Sequence, residues 1–285
     1  MIIDAHTHLF PPEIAANHEP YKARDPWFEE AFASPKIRFS SREQLIESMD
    51  EAGVDQAIIV GWPWRDAGLC AEHNSYLAEV SRNSCGRLHW LAITNPVDGS
   101  AVNNVVDARA NGALGIGELN ADAQDFDWRD HSRLQDFAEA CVGHDIPAMI
   151  HSSEPTGHLY PGKGTATPEK IVALATSFPE LRIVAAHWGG GLPFYELMPE
   201  VREILKNVAY DSAASTYLYR FEIFEVVSRI VGADRVVFGS DFPILAMKRF
   251  VDRVKDIALD ETEMSAILAS NAMRIYGIPT DGVQL

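Results

Sequence analysis

The chain has 285 residues, 47% of them hydrophobic, enough to bury one large core, and no polar tract or charge block divides it, so residues 1–285 read as a single domain. Its 24 basic against 41 acidic side chains give a formal net charge of -17, which repels phosphate backbones and anionic lipid and argues against nucleic-acid or membrane partners. No signal-like opening or bilayer-length apolar window is present, and the cysteines Cys70, Cys85 and Cys141 are unpaired by spacing, so the expectation is a cytoplasmic protein with buried thiols.

Short apolar runs alternate with amphipathic stretches, the pattern of a parallel sheet covered by helices. The first run, 2–5, leads into His6 and His8, and an i, i+2 spacing on a strand points both imidazoles to one face, where they can grip a metal ion. The stretch from Phe10 to Ser41 then breaks the rhythm. It mixes Trp27, Phe28, Phe32 and Phe39 with Lys22, Arg24, Lys36 and Arg38. A lid-like insertion over the site, a packing flap and a contact in a homodimer are all open readings of it.

Further strands are expected at 56–61, 88–93, 114–119, 148–152, 182–187, 208–211 and 236–239. Helices are expected between them at 42–51, 67–83, 101–111, 131–141, 168–177, 193–206 and 221–231, with 252–258 and 261–275 closing the chain. Ala52 and Gly53 end the first of these, and Thr167 before Pro168 has the form of a helix start that satisfies or removes unpaired amides. Eight such units fit a closed (β/α)8 TIM barrel, in which the loops after the strands converge on one mouth where function resides.

Polar residues at the strand ends therefore carry weight. Glu118 follows the fourth strand, with Gly115 and Gly117 thinning its side chains; His151 ends the fifth, His187 the sixth, and Asp241 follows the eighth. With His6 and His8 they make four imidazoles and two carboxylates able to bind one divalent ion, zinc first among the candidates, with Glu118 leaving room for a second. Asp241 is costly after so apolar a strand unless an ion or donors satisfy it. Glu118 has three readings, as a ligand, a holder of a second ion or a positioner of substrate. Arg65 after the second strand, and Glu154, His158 and Lys163 in the loop after the fifth, are candidates for orienting a small, carboxylate-bearing substrate. His18, His73, His131 and His144 fall in loop or surface-helix patterns and carry no role, and Asp211 and Ser212 rank below the ligands as supports for neighbouring loops.

The segments Asp4-Ala5-His6-Thr7-His8, His151, Ala186-His187-Trp188-Gly189-Gly190, Phe238-Gly239-Ser240-Asp241-Phe242-Pro243 and Asn271-Ala272 resemble the amidohydrolase superfamily over nearly the full chain. They are most similar to its amidohydrolase-2 branch, which includes the aminocarboxymuconate-semialdehyde decarboxylase-like enzymes. The resemblance implies that His6, His8, His151 and Asp241 are metal ligands and that His187 is metal-proximal or catalytic. Glu118 departs from many one-metal members and is similar to the fourth-strand glutamate of TatD-like hydrolases. The leading expectation is hydrolysis of a carboxylic ester, lactone or amide, with Asp241 relaying the proton of a metal-activated water and His187 stabilising the oxyanion. The second is non-oxidative decarboxylation of an unsaturated or aromatic carboxylic acid, with Asp241 and His187 managing protonation at carbon. A binding module that keeps the ion without turnover is the third.

Overall fold

Each expected strand is found, and all of them pair in parallel in sequence order: β1 (Ile3–His8), β2 (Gln56–Val60), β3 (Leu88–Ala92), β4 (Gly115–Leu119), β5 (Ala148–Ile150), β6 (Ile183–Ala185), β7 (Val208–Asp211) and β8 (Val236–Val237). The computed structural model describes residues 1–33 and 39–279. β8 is the shortest, and the ring is closed by the residues after it. The Ala5 amide donates to the Phe238 carbonyl at 2.9 Å, the Asp241 amide to the His6 carbonyl at 2.9 Å, and Thr7 bridges Phe242. That closure brings the last strand end, with Asp241, against the first, with His6 and His8.

The two faces of the sheet bury different sets of side chains. Ile3, Ala5, Ile58, Val60, Leu91, Met149, Val184 and Val237 point into the barrel and meet Ala272, Met273 and Tyr276 of the last helix, Asn271–Tyr276, which plugs its lower end. The outer face packs on the surrounding helices. Period-two alternation assigns residues to these two clusters, except that register shifts between Asp4 and Thr7 in β1 and between Ile116 and Leu119 in β4 let His6, His8 and Glu118 turn inward at the strand ends.

Local chemistry accounts for several boundaries. Ser41 and Gln44 form a reciprocal capping box at the start of helix Arg42–Ala52, and Gly53 ends it in the left-handed conformation at φ 71. At Pro168–Ser177 the proline opens the helix as expected, but the Thr167 hydroxyl donates to the Glu169 carboxylate at 2.5 Å and caps no amide. The expected helix 193–206 is instead a tight segment His187–Leu197 followed by Pro199–Ile204, because Trp188, Gly189, Gly190 and Gly191 all have positive φ. The expected 252–258 lies earlier, at Met247–Lys255, and 261–275 contains a wider turn over Ala266–Ser270.

The long excursion after β1 holds three short helices, Pro12–Ala16, Glu19–Lys22 and Pro26–Ala31. Phe10, Ile14 and Phe28 from this side bury against Trp64, Leu69 and Ile93, with Phe32, Phe39 and Trp62 packed on them. Lys36 and Arg38, counted with this segment in the sequence, lie outside the described residues. Cys70 and Cys141 are buried, whereas Cys85 is exposed, contrary to expectation, in the turn before β3. Among the described residues no helix is long and apolar enough to cross a membrane.

Candidate metal and active site

β1 continues through His8, so the two imidazoles sit on the strand itself and point inward together, with Nε2 atoms 3.2 Å apart. The nearest oxygen of Asp241, Oδ1, lies 3.3 Å from His8 Nε2 and 3.8 Å from His6 Nε2. From the opposite wall Glu118 places Oε1 3.0 Å from His151 Nδ1 and 3.2 Å from His187 Nε2, and Oε2 3.5 Å from His6 Nε2. The structure thus brings together all six residues expected at the strand ends. Two triads within it, His6, His8, Asp241 and His6, Glu118, His187, have one donor atom each, all within 4.8 Å of one another.

Backbone packing permits this crowding. A Cβ on Gly239 would stand 2.7 Å from that of His6, so the last strand end can approach β1 only without a side chain there. Asp4, under the cluster, accepts from the Ser240 amide at 2.9 Å and the His6 amide at 3.2 Å, and burial pushes its carboxyl up to about 7.

Asp211 has a larger part than loop support. Fully buried at the end of β7, it accepts the His6 Nδ1 proton at 2.8 Å on one oxygen and the His187 and Ala213 amides at 2.9 and 3.0 Å on the other. It therefore fixes the His6 tautomer and turns the Nε2 lone pair toward the cluster. Its partner lies 205 residues away in sequence, so no local pattern announces it.

Charge follows from the same contacts. Burial alone would lower His187, but its hydrogen bond to Glu118 and the charges of Glu118, Asp241 and Asp211 outweigh it and raise the imidazole to about 9. His6 is likewise driven well up by Asp211 and Glu118 against its burial. Burial would raise the two carboxyls, yet the surrounding imidazoles hold Glu118 well below the carboxylate range and Asp241 near 2. A bound cation in the cluster would oppose protonation of the imidazoles around it.

Above the cluster opens a cavity of about 350 Å³, with His8, Glu118, His151, His187 and Asp241 on its floor and Phe10, Trp27, Phe32, Trp62, Tyr160, Tyr217 and Ile244 on its walls. Of the four residues expected to orient substrate, only His158 lines it. Arg65 points away and pairs with Asp125 on the surface. Glu154 accepts from the Tyr160 hydroxyl at 3.2 Å, and Lys163 donates to the Thr156 and His158 carbonyls at 2.9 and 3.0 Å, bracing its own loop. His73 also corrects the sequence reading. It is buried, with Nε2–H donating to the Leu9 carbonyl at 2.8 Å and Nδ1 accepting from the Trp64 indole at 3.0 Å.

A family model described as amidohydrolase matches residues 3–278, and the chain belongs to that family. Among solved structures it is similar to 5-carboxyvanillate decarboxylase from Sphingomonas paucimobilis, with a TM-score of 0.82 and 17% identity over 98% of this chain and 99% of that one. It is similar to the same enzyme from Novosphingobium aromaticivorans in complex with manganese and 4-hydroxy-3-methoxy-5-nitrobenzoic acid, with a TM-score of 0.81 and 18% identity over 97% and 96%. A 2,6-dihydroxybenzoate decarboxylase from Rhizobium follows at a TM-score of 0.76 and 18% identity over 97% and 98%. No curated protein sequence matches. The likeness is one of TIM-barrel fold, yet the neighbours' names correct the leading expectation of ester, lactone or amide hydrolysis. These neighbours bear the names of decarboxylases, which favours the second reading.

Proposed function

We propose that this chain is a metal-dependent non-oxidative decarboxylase of an aromatic carboxylic acid. The observation that carries the reading is one cavity with two kinds of surface, an ion-binding floor of imidazoles and carboxylates beneath aromatic walls. A flat ring packs well on such walls. The neighbours named for 5-carboxyvanillate and 2,6-dihydroxybenzoate support that choice of substrate class.

The residues fit a divalent ion. Asp241 Oδ1 is buried without a hydrogen-bond partner, a costly arrangement that coordination would relieve, and imidazole with carboxylate suits first-row cations. His6, His8 and Asp241 would hold the ion, facing Glu118, His151 and His187. Manganese is the first candidate, since it is the ion named with one neighbour, and zinc is the alternative. When bound, the ion supplies Lewis-acid polarisation of substrate oxygens.

The chain's own groups then divide the proton work. Asp241 stands with the ion, whereas His187, on the cavity floor with Nε2 3.2 Å from Glu118, is the group placed to pass a proton to the substrate. Transfer from His187 to the ring carbon bearing the carboxylate lets the carbon–carbon bond break, its electron pair returning to the ring as carbon dioxide leaves. Asp211 keeps the His187 amide and the His6 ring in place through this step. The aromatic walls limit competing water around the reacting carbon.

One ion per chain is the reading the geometry favours. His6, Glu118 and His187 form a triad of their own, but His6 Nδ1 is engaged by Asp211 and its Nε2 can serve one ion at a time. The test is to load the purified chain with manganese or zinc, count the metal, and supply a panel of hydroxybenzoates. The expected result is a phenol lighter by one carbon dioxide, with matching gas release. Metal-loaded protein that leaves every acid of the panel intact would remove the proposal.

A further inference from the structure

Beside the cavity over the ion site lies a second one of about 340 Å³. It is bounded by the loop from Glu154 to Lys163 and by the segment leaving His187, through Gly190, Gly191, Phe194 and Tyr195. The side chains of His158, Tyr160 and Leu218 line both spaces, so a single layer separates them. His158 is exposed, and the Tyr160 hydroxyl is held by its bond to Glu154 Oε2 at 3.2 Å.

One edge of this space is set by a close contact between two backbone segments. A Cβ on Gly190 would stand 2.3 Å from the Ser153 carbonyl oxygen, so that glycine lets the chain run tightly against the loop floor. Phe194 and Tyr195 remain 41% and 48% exposed, leaving two aromatic surfaces facing the space with little packed on them.

Its polar groups are unequally committed. Lys163 spends its ammonium on the Thr156 and His158 carbonyls. Glu154 gives Oε2 to Tyr160, but its Oε1 is buried with no partner at all. A buried acceptor left so is costly, and a donor brought by a ligand that displaces the side chains around it would recover that cost.

We propose that this second cavity is a substrate subsite. It takes a second ring or ring-borne arm carrying a hydroxyl or amine that donates to Glu154 Oε1, while the carboxylate-bearing ring lies over His8 and Asp241. The inference rests on the aromatic-acid reading above and extends it from one-ring to two-lobed substrates. The ring of Tyr160 and the side chain of Leu218 are what such a molecule must turn aside.

Titration calorimetry of the manganese-loaded full chain with salicylate, 5-phenylsalicylate and 5-(4-hydroxyphenyl)salicylate tests it. The hydroxyphenyl acid is expected to bind at least tenfold tighter than salicylate and several-fold tighter than the phenyl acid, and Glu154→Ala is expected to erase the second difference. Salicylate binding with no gain from the second ring would overturn the subsite and leave the aromatic-acid reading standing. So would a hydroxyl advantage that survives undiminished in Glu154→Ala. If none of the three acids binds, the aromatic-acid reading itself has failed and the subsite falls with it.

Discussion

His6 shows how much of the site depends on a neighbour that never meets the substrate. Its ring is turned by Asp211, so Asp211→Asn, which leaves one uncharged acceptor oxygen where two serve the His6 ring and the His187 and Ala213 amides, is expected to weaken metal binding about 10–100-fold in a calorimetric titration. Unchanged affinity would show that Asp211 only supports the loop. His187→Asn should keep the ion but lower kcat by about 10²–10⁴, the usual worth of a positioned proton donor. Loss of metal together with activity would place His187 among the holders instead. His73 sets a separate, acid-side limit on stability. Burial lowers its folded pKa to about 4 from an ordinary 6.5, so below about 6.5 the unfolded chain binds a proton that the folded one refuses. Stability is therefore lost as pH falls through that window, on the order of 3 kcal/mol by pH 4. Urea melts at pH 7.5 and 4.5 should show a smaller drop for His73→Gln than for the native chain; equal drops would refute this account. At this scale the ligands were legible because they sit at strand ends or at an i, i+2 spacing. Asp211 and His73 were not, because the groups they bond, His6 and the Leu9 carbonyl, lie 205 and 64 residues away, and Arg65 misled because a surface carboxylate, Asp125, satisfies it.

The segment after β6 shows what periodicity misses at the scale of an element. Apolar runs located all eight strands, but the expected helix 193–206 presumed that helical spacing follows the glycines directly. Instead, residues from Trp188 to Gly191 stay left-handed, a run that glycine permits and that holds His187 at one end and the second cavity at the other. Gly190→Ala meets both a positive φ of 61 and the Ser153 carbonyl. It should destabilise the fold by more than the ~1–3 kcal/mol of backbone strain alone. It should also reduce turnover, since His187 is anchored by the same segment; native melting and native kcat in this variant would contradict that coupling. The wider turn at Ala266–Ser270 was equally invisible, because it shifts the buried face, with Ile267, Leu268 and Ala269 buried in succession, which a 3.6-residue period does not anticipate.

For the whole molecule, the barrel gathers side chains from β1, β4, β5, β6 and β8 that no shorter piece of the chain contains. Folding builds the ion site, so the ion should in turn favour the folded state by mass action. At a hundredfold excess over Kd that is about 2.7 kcal/mol, or roughly 4–5 °C in Tm for a domain of this size. Scanning calorimetry before and after chelation should show the drop and its reversal on adding manganese; a Tm indifferent to both would mean that the cluster binds no ion. Fold class was open to reading because eight strand–helix units have one economical closure. Reaction class was not, because one ion beside an acid and an imidazole suits hydrolysis and decarboxylation alike, and only the cavity's aromatic walls and the neighbours separate them. The most direct measurement is turnover of 2,6-dihydroxybenzoate by manganese-loaded protein in heavy water, followed by mass spectrometry and gas analysis. The account predicts resorcinol with one deuterium at the carbon that lost its carboxylate, matched by an equal amount of carbon dioxide. Full metal occupancy with no carbon dioxide released from this or any related hydroxybenzoate would contradict it.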